Sequence, residues 1–272
     1  FWSLATAITE ATTGDSLQVW KGSYSVMIEI EKSLTITGNS TAEVTLEGSS
    51  DYVIDIDAVS VTLRNLTIRD GNGIYLDKLS NDVTLEWLVI HNSSANGIFA
   101  FQNDNLQLSN LTITNSSERG LVLYKTSSSV IADCIISGSS GLGIWADSAD
   151  DVEFLRIILT GNGDSGLSLD TSDSISVRDS WISDNNPGSW EVYSTRTDGL
   201  VMDNVTISGM ELVLLDDNEQ AHLSNLTLEI TLDSGTAIYL DESDSNTLRD
   251  ITCGCGNAQG PAHSTVGASI DE

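Results

Sequence analysis

The stretch Val61-Thr-Leu-Arg-Asn-Leu-Thr-Ile-Arg-Asp-Gly-Asn-Gly-Ile-Tyr-Leu76 holds three short runs in which apolar and polar residues alternate. These runs are Val61–Leu63, Leu66–Ile68 and Ile74–Leu76. A side-chain period of two is typical of β-strands with one buried face. The pair Arg64-Asn65 and a glycine-containing loop separate the runs and supply turn residues. The stretch therefore predicts three short strands joined by two kinds of corner.

The same pattern repeats to the end of the chain. Its central residue, Leu66, recurs every 21 to 25 residues as Leu88, Leu111, Ile135, Ile157, Trp181, Val205, Leu226 and Ile251. A sustained period of this length indicates a solenoid, in which each coil buries its apolar side only against its neighbours. We therefore predict one all-β domain of parallel strands with about ten coils. At ~4.8 Å per coil this is a rod of roughly 50 Å.

A short helix is predicted before the first coil. Leu4, Ala7, Ile8 and Ala11 follow helical spacing, and Ser3 can cap the N-terminus of the helix. Such a helix covers the open end of the first coil. We predict a capping helix over residues 1–14, the solenoid over 15–252 and an irregular tail over 253–272. The chain begins Phe1-Trp2 without an initiator Met, from which we expect a processed N-terminus.

The residues after this helix carry a family resemblance. The order Gly14-Asp-Ser-Leu-Gln-Val19, Lys21-Gly-Ser-Tyr24, then Ile30-Glu-Lys-Ser-Leu-Thr-Ile-Thr-Gly38 resembles the start of right-handed parallel β-helix proteins. These form the pectate-lyase-like group, which includes the NosD-type repeat and the carbohydrate-binding-and-hydrolysis repeat families. The resemblance covers nearly the whole chain and implies a right-handed parallel β-helix. It implies no single activity, because this fold carries lyases, hydrolases, epimerases, tailspikes and adhesins.

The corner between the second and third strand of each coil is two residues long and is rich in asparagine. Asn65, Asn110, Asn204 and Asn225 occupy its second position, while Trp87, Cys134, Arg156 and Ser180 are assigned to the same position in other coils. Asparagine tolerates the left-handed backbone that a sharp bend needs. The resemblance implies that stacked asparagines form a hydrogen-bonded ladder here, which the other residue types would interrupt.

Seven Asn-x-Ser/Thr sequons occur, and four of them contain the corner asparagines. Turn chemistry explains those four better than glycan attachment. The remaining sequons, at Asn39, Asn92 and Asn115, fall in loops and are candidate glycosylation sites.

Side chains that point away from the core should carry the function. On the first sheet, represented by Ile74–Leu76, the outward row is predicted as Tyr75, Phe99, Val122, Trp145, Ser168, Tyr193, Val213 and Tyr239. Exposed aromatic residues in a row require a covering partner. The alternatives are stacking on sugar rings, contact with another subunit, or coverage by loops of the same chain. The aromatic members Tyr75, Phe99, Trp145, Tyr193 and Tyr239 are the candidate residues.

A second outward row is predicted on the third sheet, represented by Leu66–Ile68. There Ile136, Ile158 and Ile182 are assigned to successive coils. Three contiguous exposed isoleucines would form an apolar strip of the kind that marks a protein interface.

The turn after the first sheet is predicted to be acidic, with Asp77, Asp147, Asp170, Asp216 and Asp241 in one row and Asp173 close behind. Stacked carboxylates repel one another unless salt or a cation screens them. Calcium accepts such oxygen ligands, so Asp147, Asp170 and Asp173 are candidate calcium ligands. Plain solvated acidity is the alternative, since no EF-hand or nonapeptide calcium loop occurs, and no cofactor is required.

Composition limits the partners. The chain has 40 acidic and 11 basic residues and a net charge of −29, which opposes binding to nucleic acid phosphates. No apolar run is long enough for a membrane span.

Cys253 and Cys255 form a Cys-Gly-Cys sequence near the end of the chain. They are interpreted either as thiols, free or oxidised to each other, or as a disulfide to another chain.

Signatures of catalysis are missing from the sequence. The Gly-His-Gly and Arg-Ile-Lys motifs of pectin hydrolases do not occur, and His91, His222 and His263 fall in different coils. We therefore lean against an enzyme. The sequence favours an extracellular structural or adhesive surface protein that assembles with copies of itself into a filament, sheath or layer. The alternative is a polysaccharide-active lyase or hydrolase, or a glycan-binding module, that contacts cell-surface glycans through its first-sheet aromatic residues.

Overall fold

The computed structural model describes residues 3–49, 51–231, 235–255 and 266–268. Within them the only helix is α1 (Leu4–Glu10). The strands, numbered in chain order, begin with β1 (Ser16–Val19), β2 (Gly22–Ser25), β3 (Ile28–Ile30), β4 (Thr35–Gly38), β5 (Val44–Glu47), β6 (Ile54–Ile56), β7 (Thr62–Gly71), β8 (Ile74–Leu76), β9 (Thr84–Ser93) and β10 (Ile98–Phe101). They continue with β11 (Gln107–Ser109), β12 (Thr112–Thr114), β13 (Leu121–Tyr124), β14 (Ser127–Ala132), β15 (Ile135–Ser137), β16 (Ile144–Asp147), β17 (Asp150–Leu155), β18 (Ile158–Thr160), β19 (Leu167–Asp170) and β20 (Ser176–Arg178). The remaining strands are β21 (Trp181–Ser183), β22 (Trp190–Thr195), β23 (Val201–Asp203), β24 (Thr206–Gly209), β25 (Glu211–Asp216), β26 (His222–Ser224), β27 (Thr227–Ile230), β28 (Thr236–Asp241), β29 (Thr247–Arg249), β30 (Thr252–Cys255) and β31 (Val266–Ala268).

These strands form a parallel β-solenoid of about ten turns, which confirms the predicted architecture. The first sheet contains β3, β6, β8, β10, β13, β16, β19, β22, β25, β28 and β31. The other strands form two further legs that join into one sheet, because β7 and β9 continue around the corner between the legs. The second leg runs from β1 to β29 and the third leg from β2 to β30. Every strand pair is parallel, so each coil lies directly on the next.

Helix α1 covers the first coil, where the sequence places a cap. The Ser3 hydroxyl accepts a hydrogen bond from the Thr6 amide at 3.1 Å, and Leu4, Ala7 and Ile8 are buried. At the other end of the helix, the Lys32 ammonium donates to the carbonyl oxygens of Thr9 and Ala11 at 3.0 and 2.9 Å. A cation at a helix C-terminus satisfies carbonyl groups that have no partner within the helix. Among the described residues no helix is long and apolar enough to cross a membrane.

The segment 253–272 is not wholly irregular. Strand β30 runs to Cys255, and β31 is paired in parallel with β28. The first and third sheets therefore continue beyond the predicted boundary, since the exposed edge of a parallel sheet can pair with any short extended segment. The side chain of Cys255 lies outside the described residues, so the bonding of Cys253 and Cys255 stays a prediction.

The predicted apolar strip is wrong at two of its three positions. Ile136 and Ile182 lie in the core with no exposed surface, whereas Ile158 is 40% exposed. Strand pairing aligns Ile158 with Ile135 on one side and with Trp181 on the other. A slip of one residue moves a side chain to the opposite face of a strand. The sequence-based assignment is shifted by one residue in these two coils, because a cysteine and a serine fill the inward position next to the corner.

Those two residues are Cys134 and Ser180, and both are buried. Each had been assigned to the corner itself, which Asp133 and Asp179 occupy instead with left-handed φ angles of 55° and 52°. The Ser180 hydroxyl donates to the Arg178 carbonyl oxygen at 2.6 Å and accepts from the Ile157 amide at 3.2 Å. A small polar residue is tolerated inside because its hydrogen bonds are satisfied.

The corner asparagines adopt the predicted backbone but do not form the predicted ladder. Asn65, Asn110, Asn204 and Asn225 have φ between 51° and 56°, the left-handed region. In the described part of the chain their side chains do not bond to one another. Asn204 donates to Asp179 at 2.6 Å, and Asn225 donates to Asp203 at 2.7 Å. Most corner asparagines are separated along the rod by coils that carry aspartate, arginine or tryptophan at this position. The nearest acceptor for a corner amide is therefore a carboxylate of a neighbouring coil.

A buried amide ladder does exist, at the corner that leads from the third leg to the first sheet. The Asn162 side chain donates to the Asn185 side-chain oxygen at 2.8 Å, and the same oxygen accepts from the Asn162 amide at 3.0 Å. The Ser139 amide donates to the Asn162 side-chain oxygen at 3.1 Å. At the end of this ladder Asn185 donates through its side chain to Glu191 at 2.6 Å. The ladder satisfies backbone groups that the corner would otherwise leave buried without partners.

Candidate functional site

The outer face of the first sheet presents two rows of side chains. Strand pairing gives the first, here called the aromatic row, as Tyr75, Phe99, Val122, Trp145, Ser168, Tyr193, Leu214 and Tyr239. The five predicted aromatic residues therefore lie in one row. Val213 was assigned to it wrongly, since it is buried and Leu214 takes the outward place. Val122 is also buried although it belongs to the row, because larger neighbours cover it.

The second row lies two residues further along each strand. It reads Phe101, Tyr124, Asp147, Asp170, Thr195, Asp216 and Asp241. Side chains two residues apart point to the same face of a strand, so both rows share one surface. The second row is thus aromatic at its first two positions and mostly acidic at the others.

Most rings on this face stack on one another along the rod. Ring centroids are 5.0 Å apart for Tyr52 and Tyr75, 5.7 Å for Tyr75 and Phe99, 5.7 Å for Phe101 and Tyr124, and 6.3 Å for Tyr124 and Trp145. Offset stacking at these distances stabilises aromatic pairs. Because the ring faces contact each other, the rings mainly present their edges and the tyrosine hydroxyls to solvent. Little ring surface is therefore free at Tyr75 and Phe99 for the stacking of sugars that the sequence predicts there.

Two cations lie over these rings. The Arg119 guanidinium carbon is 4.6 Å from the centroid of the Trp145 ring, and the Lys125 ammonium is 5.2 Å from that of Tyr124. Such cation–π contacts hold the rings and the cations in place together. Arg196, by contrast, is bound to the Asp170 carboxylate at 2.5 Å. The centre of the face therefore combines aromatic, cationic and acidic groups.

The N-terminal end of the face holds a carboxyl group, that of Asp55, whose pKa is raised mainly by burial. Burial raises the pKa of Asp55 to about 6, and the charge of Glu29 contributes further. Asp55 pairs in register with Tyr75. Burial, with a smaller contribution from Asp77, raises the pKa of Tyr75 to about 12. A carboxyl group that titrates near neutral pH can hold or release a proton under physiological conditions.

The raised pKa of Asp55 predicts a pH-dependent effect on stability. The folded protein holds the Asp55 proton between the ordinary pKa of 3.8 and about 6, so its free energy of unfolding falls as the pH rises through this range. Asp55→Asn should therefore raise the urea midpoint at pH 7 and leave it nearly unchanged at pH 4. Glu43→Gln, at an exposed position, is the matched control. Equal gains at both pH values for Asp55→Asn would contradict the assignment.

The three candidate calcium ligands do not converge. Asp147 and Asp170 are adjacent in register, but Asp170 is engaged by Arg196. Asp173 lies in a different row, where it pairs with Asp150 and Asp198. Among the described residues, no group of three His, Cys, Asp or Glu side chains is placed to hold a metal ion. The three candidates therefore do not form one donor set in the described part of the chain, and calcium binding stays an untested prediction.

The candidate glycosylation sites are all exposed. Asn39 and Asn115 lie outside the strands, as predicted, whereas Asn92 lies within β9, so its placement in a loop is wrong. Asn92 and Asn115 both have φ of 56° and occupy one left-handed turn position in successive coils, where Asn115 donates to Asn92 at 3.4 Å. Asn39 accepts a hydrogen bond from Gln18 at 3.2 Å. Turn chemistry thus also accounts for Asn92 and Asn115, and glycan attachment stays a prediction.

Several residues of this face were not singled out from the sequence. Phe101, Tyr124 and Lys125 belong to the second row and its following corner, and Asp55 belongs to the coil before Tyr75. The available signal was the strand period, because each residue two positions after an aromatic-row residue had to share its face. For Glu191 the signal was its position directly before Val192, because Val192 pairs with Leu167 and Glu191 therefore takes the place that Gly166 has in the preceding coil.

Comparison with solved structures identifies proteins with a similar fold. Among solved structures, the chain is similar to the A-module of Azotobacter vinelandii mannuronan C-5 epimerase AlgE4, with TM-score 0.73, 16% identity, and coverage of 97% of this chain and 94% of that one. It is also similar to the alginate lyase from Paenibacillus sp. str. FPU-7, with TM-score 0.61, 12% identity, and coverage of 93% and 94%. The Dettilon tailspike protein gp208 matches with TM-score 0.68, 11% identity, and coverage of 96% of this chain and 60% of the tailspike.

At these identities the structural matches establish the fold alone. A search of curated protein sequences finds no match. The family model described as "Right handed beta helix region" matches residues 52–209, which is more than half of the chain. This range contains the repeat that begins with Val61–Leu76 and most of the aromatic row. The chain therefore belongs to the right-handed β-helix family.

Proposed function

We propose that this protein binds a neutral, hydroxyl-rich polysaccharide along the outer face of its first sheet. The observation that carries the proposal is the pairing of the aromatic row with a parallel row of carboxylates on one face. Ring edges and tyrosine hydroxyls provide apolar and polar contacts, and carboxylates accept strong hydrogen bonds from sugar hydroxyls. Coils repeat every ~4.8 Å, so a linear polymer lying along the rod would meet similar groups repeatedly.

The structural neighbours support the same class of ligand. Three of them are named as a mannuronan epimerase, an alginate lyase and an α-1,3-glucanase, the last with TM-score 0.52, 12% identity, and coverage of 97% of this chain and 66% of the glucanase. The first two are named for acidic polymers, whereas the charge of this chain favours a neutral one. With a net charge of −29 and aspartates at four positions of the second row, the face repels uronate carboxylates. Extracellular placement, expected from the sequence, is consistent with such a ligand.

The sequence-based interpretation as a self-assembling filament stays an untested prediction. The polysaccharide interpretation, which the sequence offered as its alternative, is the one that the neighbours favour. Binding is proposed rather than catalysis, because the described face presents many carboxylates but no pair distinguished by geometry. A catalytic role would require a general acid and a base or nucleophile at a fixed separation on either side of a sugar bond.

Titration calorimetry with neutral glucans and with alginate or polygalacturonate tests the proposal. We expect a neutral polymer to bind, and Trp145→Ala and Asp147→Asn each to weaken binding at least about tenfold, since each removes a contact worth over 1 kcal/mol. Trp20→Ala, at an exposed tryptophan between β1 and β2, is the matched control. Unchanged affinity in Trp145→Ala would remove this face from the proposal.

The other outcomes of this experiment are also informative. If a uronate polymer binds only when calcium is added, the ligand class proposed here is wrong, although loss in Trp145→Ala would keep the face. If the polymer is shortened or acquires new reducing ends, the protein is an enzyme and the proposal of binding alone is overturned.

A further inference from the structure

The outer face of the third leg carries an exposed apolar strip, here defined as Ile135, Ile158 and Trp181. These residues are neighbours in register on β15, β18 and β21. Ile135 and Ile158 are 40% exposed and Trp181 is 50% exposed. Large apolar side chains that are contiguous and exposed mark an interaction surface. The strip therefore calls for a partner that covers it.

A groove lies beside the N-terminal end of the strip. It has a volume of about 280 Å³, and its lining includes Trp87, Val89, Thr112 and Ile135. Trp87 is 53% exposed, and its left-handed backbone, with φ of 56°, places it at the corner beside the third leg. Val89, Thr112 and Ile135 are successive members of the same outward row. The face thus has an open depression at one end and a protruding Trp181 at the other.

The groove beside Trp87 and the protruding Trp181 are spaced so that the tryptophan of one copy can fill the groove of a second copy. Thr112, Ile135, Ile158 and Trp181 follow one another in register, which puts Trp181 three coils, or ~14 Å, from Thr112. A two-fold axis that lies in the plane of the interface, perpendicular to the rod and between Ile135 and Ile158, would bring Trp181 of one copy over Thr112 of the other. Ile135 would then face Ile158 of the second copy. An isologous contact of this kind closes on itself.

Charge also favours a second copy on this face. Two chains with a net charge of −29 repel each other, so the least acidic surfaces make contact at the lowest cost. Beside the strip, the next outward row consists of Thr114, Ser137, Thr160 and Ser183, all uncharged. At the corner on its other side, Arg156 is bound to Asp133 at 2.6 Å. This corner carries four of the seven arginines of the chain, Arg64, Arg156, Arg178 and Arg249, against five acidic residues, Glu86, Asp133, Asp179, Asp203 and Asp250, so it is nearly neutral in a chain with a net charge of −29.

We propose that the outer face of the third leg is an isologous interface between two antiparallel copies of this chain, with its two-fold axis between Ile135 and Ile158. The Trp181 side chain of each copy fills the groove beside Trp87 of the other. The interface lies on a different face from the proposed polysaccharide site. Because five coils span only ~24 Å, we expect a reversible dimer of micromolar affinity rather than a permanent one.

Sedimentation equilibrium over a range of protein concentrations tests the interface. The unmodified chain should shift from monomer to dimer as its concentration rises. Ile158→Asp and Trp181→Ala should each weaken the dimer at least about tenfold, as expected for central apolar positions. Leu79→Asp, at a residue that is 55% exposed on another face, is the matched control and should leave the dimer intact. Circular dichroism melts check that each variant is folded.

A mixing experiment tests the two-fold register. Ile135→Lys and Ile158→Asp should each be monomeric alone, because each homodimer would bury two unpaired charges. When the two variants are mixed, the introduced lysine faces the introduced aspartate once, and the second contact keeps both isoleucines. The mixture should dimerise at least about tenfold more tightly than either variant alone. A monomeric unmodified chain, a dimer insensitive to Ile158→Asp, or a mixture that stays monomeric would each overturn the proposal.

Discussion

At pH 8 the protein should unfold at a lower urea concentration than at pH 5, and Glu191→Gln should remove most of that difference. Glu191 is only 3% exposed. Its carboxylate accepts hydrogen bonds from the Asn185 side chain at 2.6 Å and from the Asn185 amide at 3.2 Å. A Cβ atom on Gly209 would lie 2.4 Å from a Glu191 carboxylate oxygen, so the carboxylate occupies space that the glycine leaves free.

Burial raises the pKa of Glu191 from its ordinary value of 4.5 to about 7, because the ionised form loses its water. The hydrogen bonds from Asn185 oppose this shift, and Asp184 adds to it. The folded state therefore holds a proton that the unfolded state releases between these two pH values. In this range the free energy of unfolding falls by about 1.4 kcal/mol per pH unit, or about 3 kcal/mol in all.

Urea unfolding at pH 5, 6, 7 and 8 measures this effect as the difference between the unmodified chain and Glu191→Gln. The difference isolates Glu191, because Asp55 titrates equally in both proteins. Glu219→Gln, at an exposed position, serves as the control. A difference that stays constant from pH 5 to pH 8 would contradict a proton on buried Glu191.

Gly120→Ala should destabilise the protein by about 3 kcal/mol, far more than an alanine usually costs outside a helix or turn. A Cβ atom at Gly120 would lie 2.2 Å from Cγ2 of Ile136 and 2.7 Å from the carbonyl oxygen of Gly143 in the next coil. That oxygen cannot move away freely, since it accepts a hydrogen bond from the Leu121 amide at 3.0 Å. The substitution must therefore push two coils apart or displace a buried isoleucine.

Gly188→Ala is the matched control, because its nearest neighbour would be an asparagine oxygen at 3.6 Å. Urea unfolding of both variants at one pH gives the comparison. A loss in Gly120→Ala no larger than that in Gly188→Ala would show that the coils can separate locally without cost. The same close approach applies at Gly97 and Gly143, whose Cβ positions lie 2.6 and 2.5 Å from the carbonyl oxygen of the next coil.

Much of the fold could be predicted from the repeat, because a period of 21 to 25 residues leaves few architectures open. The repeated step of a glycine followed by an apolar residue, as in Gly97-Ile98, Gly120-Leu121 and Gly143-Ile144, is an example. It was visible in the sequence, and the structure explains it by the close approach of successive coils. Left-handed backbone at Asn65 and its equivalents was also predictable, since asparagine tolerates this conformation better than most residues.

The faces of individual strands were harder to predict. Ile135 and Ile136 are both isoleucine, so composition alone does not say which of them is buried. The deciding residue is Cys134, which continues the inward row although it is not a typical core residue of this repeat. In the same way the inward position before Trp181 is filled by Ser180, a polar residue, so the sequence pattern does not indicate that Trp181 points outward. The apolar strip was therefore placed one residue away from its true position in two coils.

The candidate site was predictable only in part, for a different reason. The aromatic row follows from strand period within each coil, and its members were mostly identified. The second row, the ring stacking and the cations over Trp145 and Tyr124 depend on where side chains of adjacent coils meet. Glu191 enters the core only because Gly209 in the next coil leaves room for it. Such relations between coils are not encoded in any local pattern.

The parallel stacking of coils has a consequence for how the chain folds and lengthens. The described strands pair only with those one coil away, as β13 does with β10 and β16, so among them no paired strands join the first coils to the last. Each coil gains its stability from its two neighbours, as in a one-dimensional lattice. Order can then spread along the rod from any well-formed coil, and loss of order at one end need not reach the other. Evolution can add or remove a coil by duplicating or deleting one repeat. The buried asparagine ladder and the row of closely packed glycines, Gly97, Gly120 and Gly143, then become one coil longer or shorter.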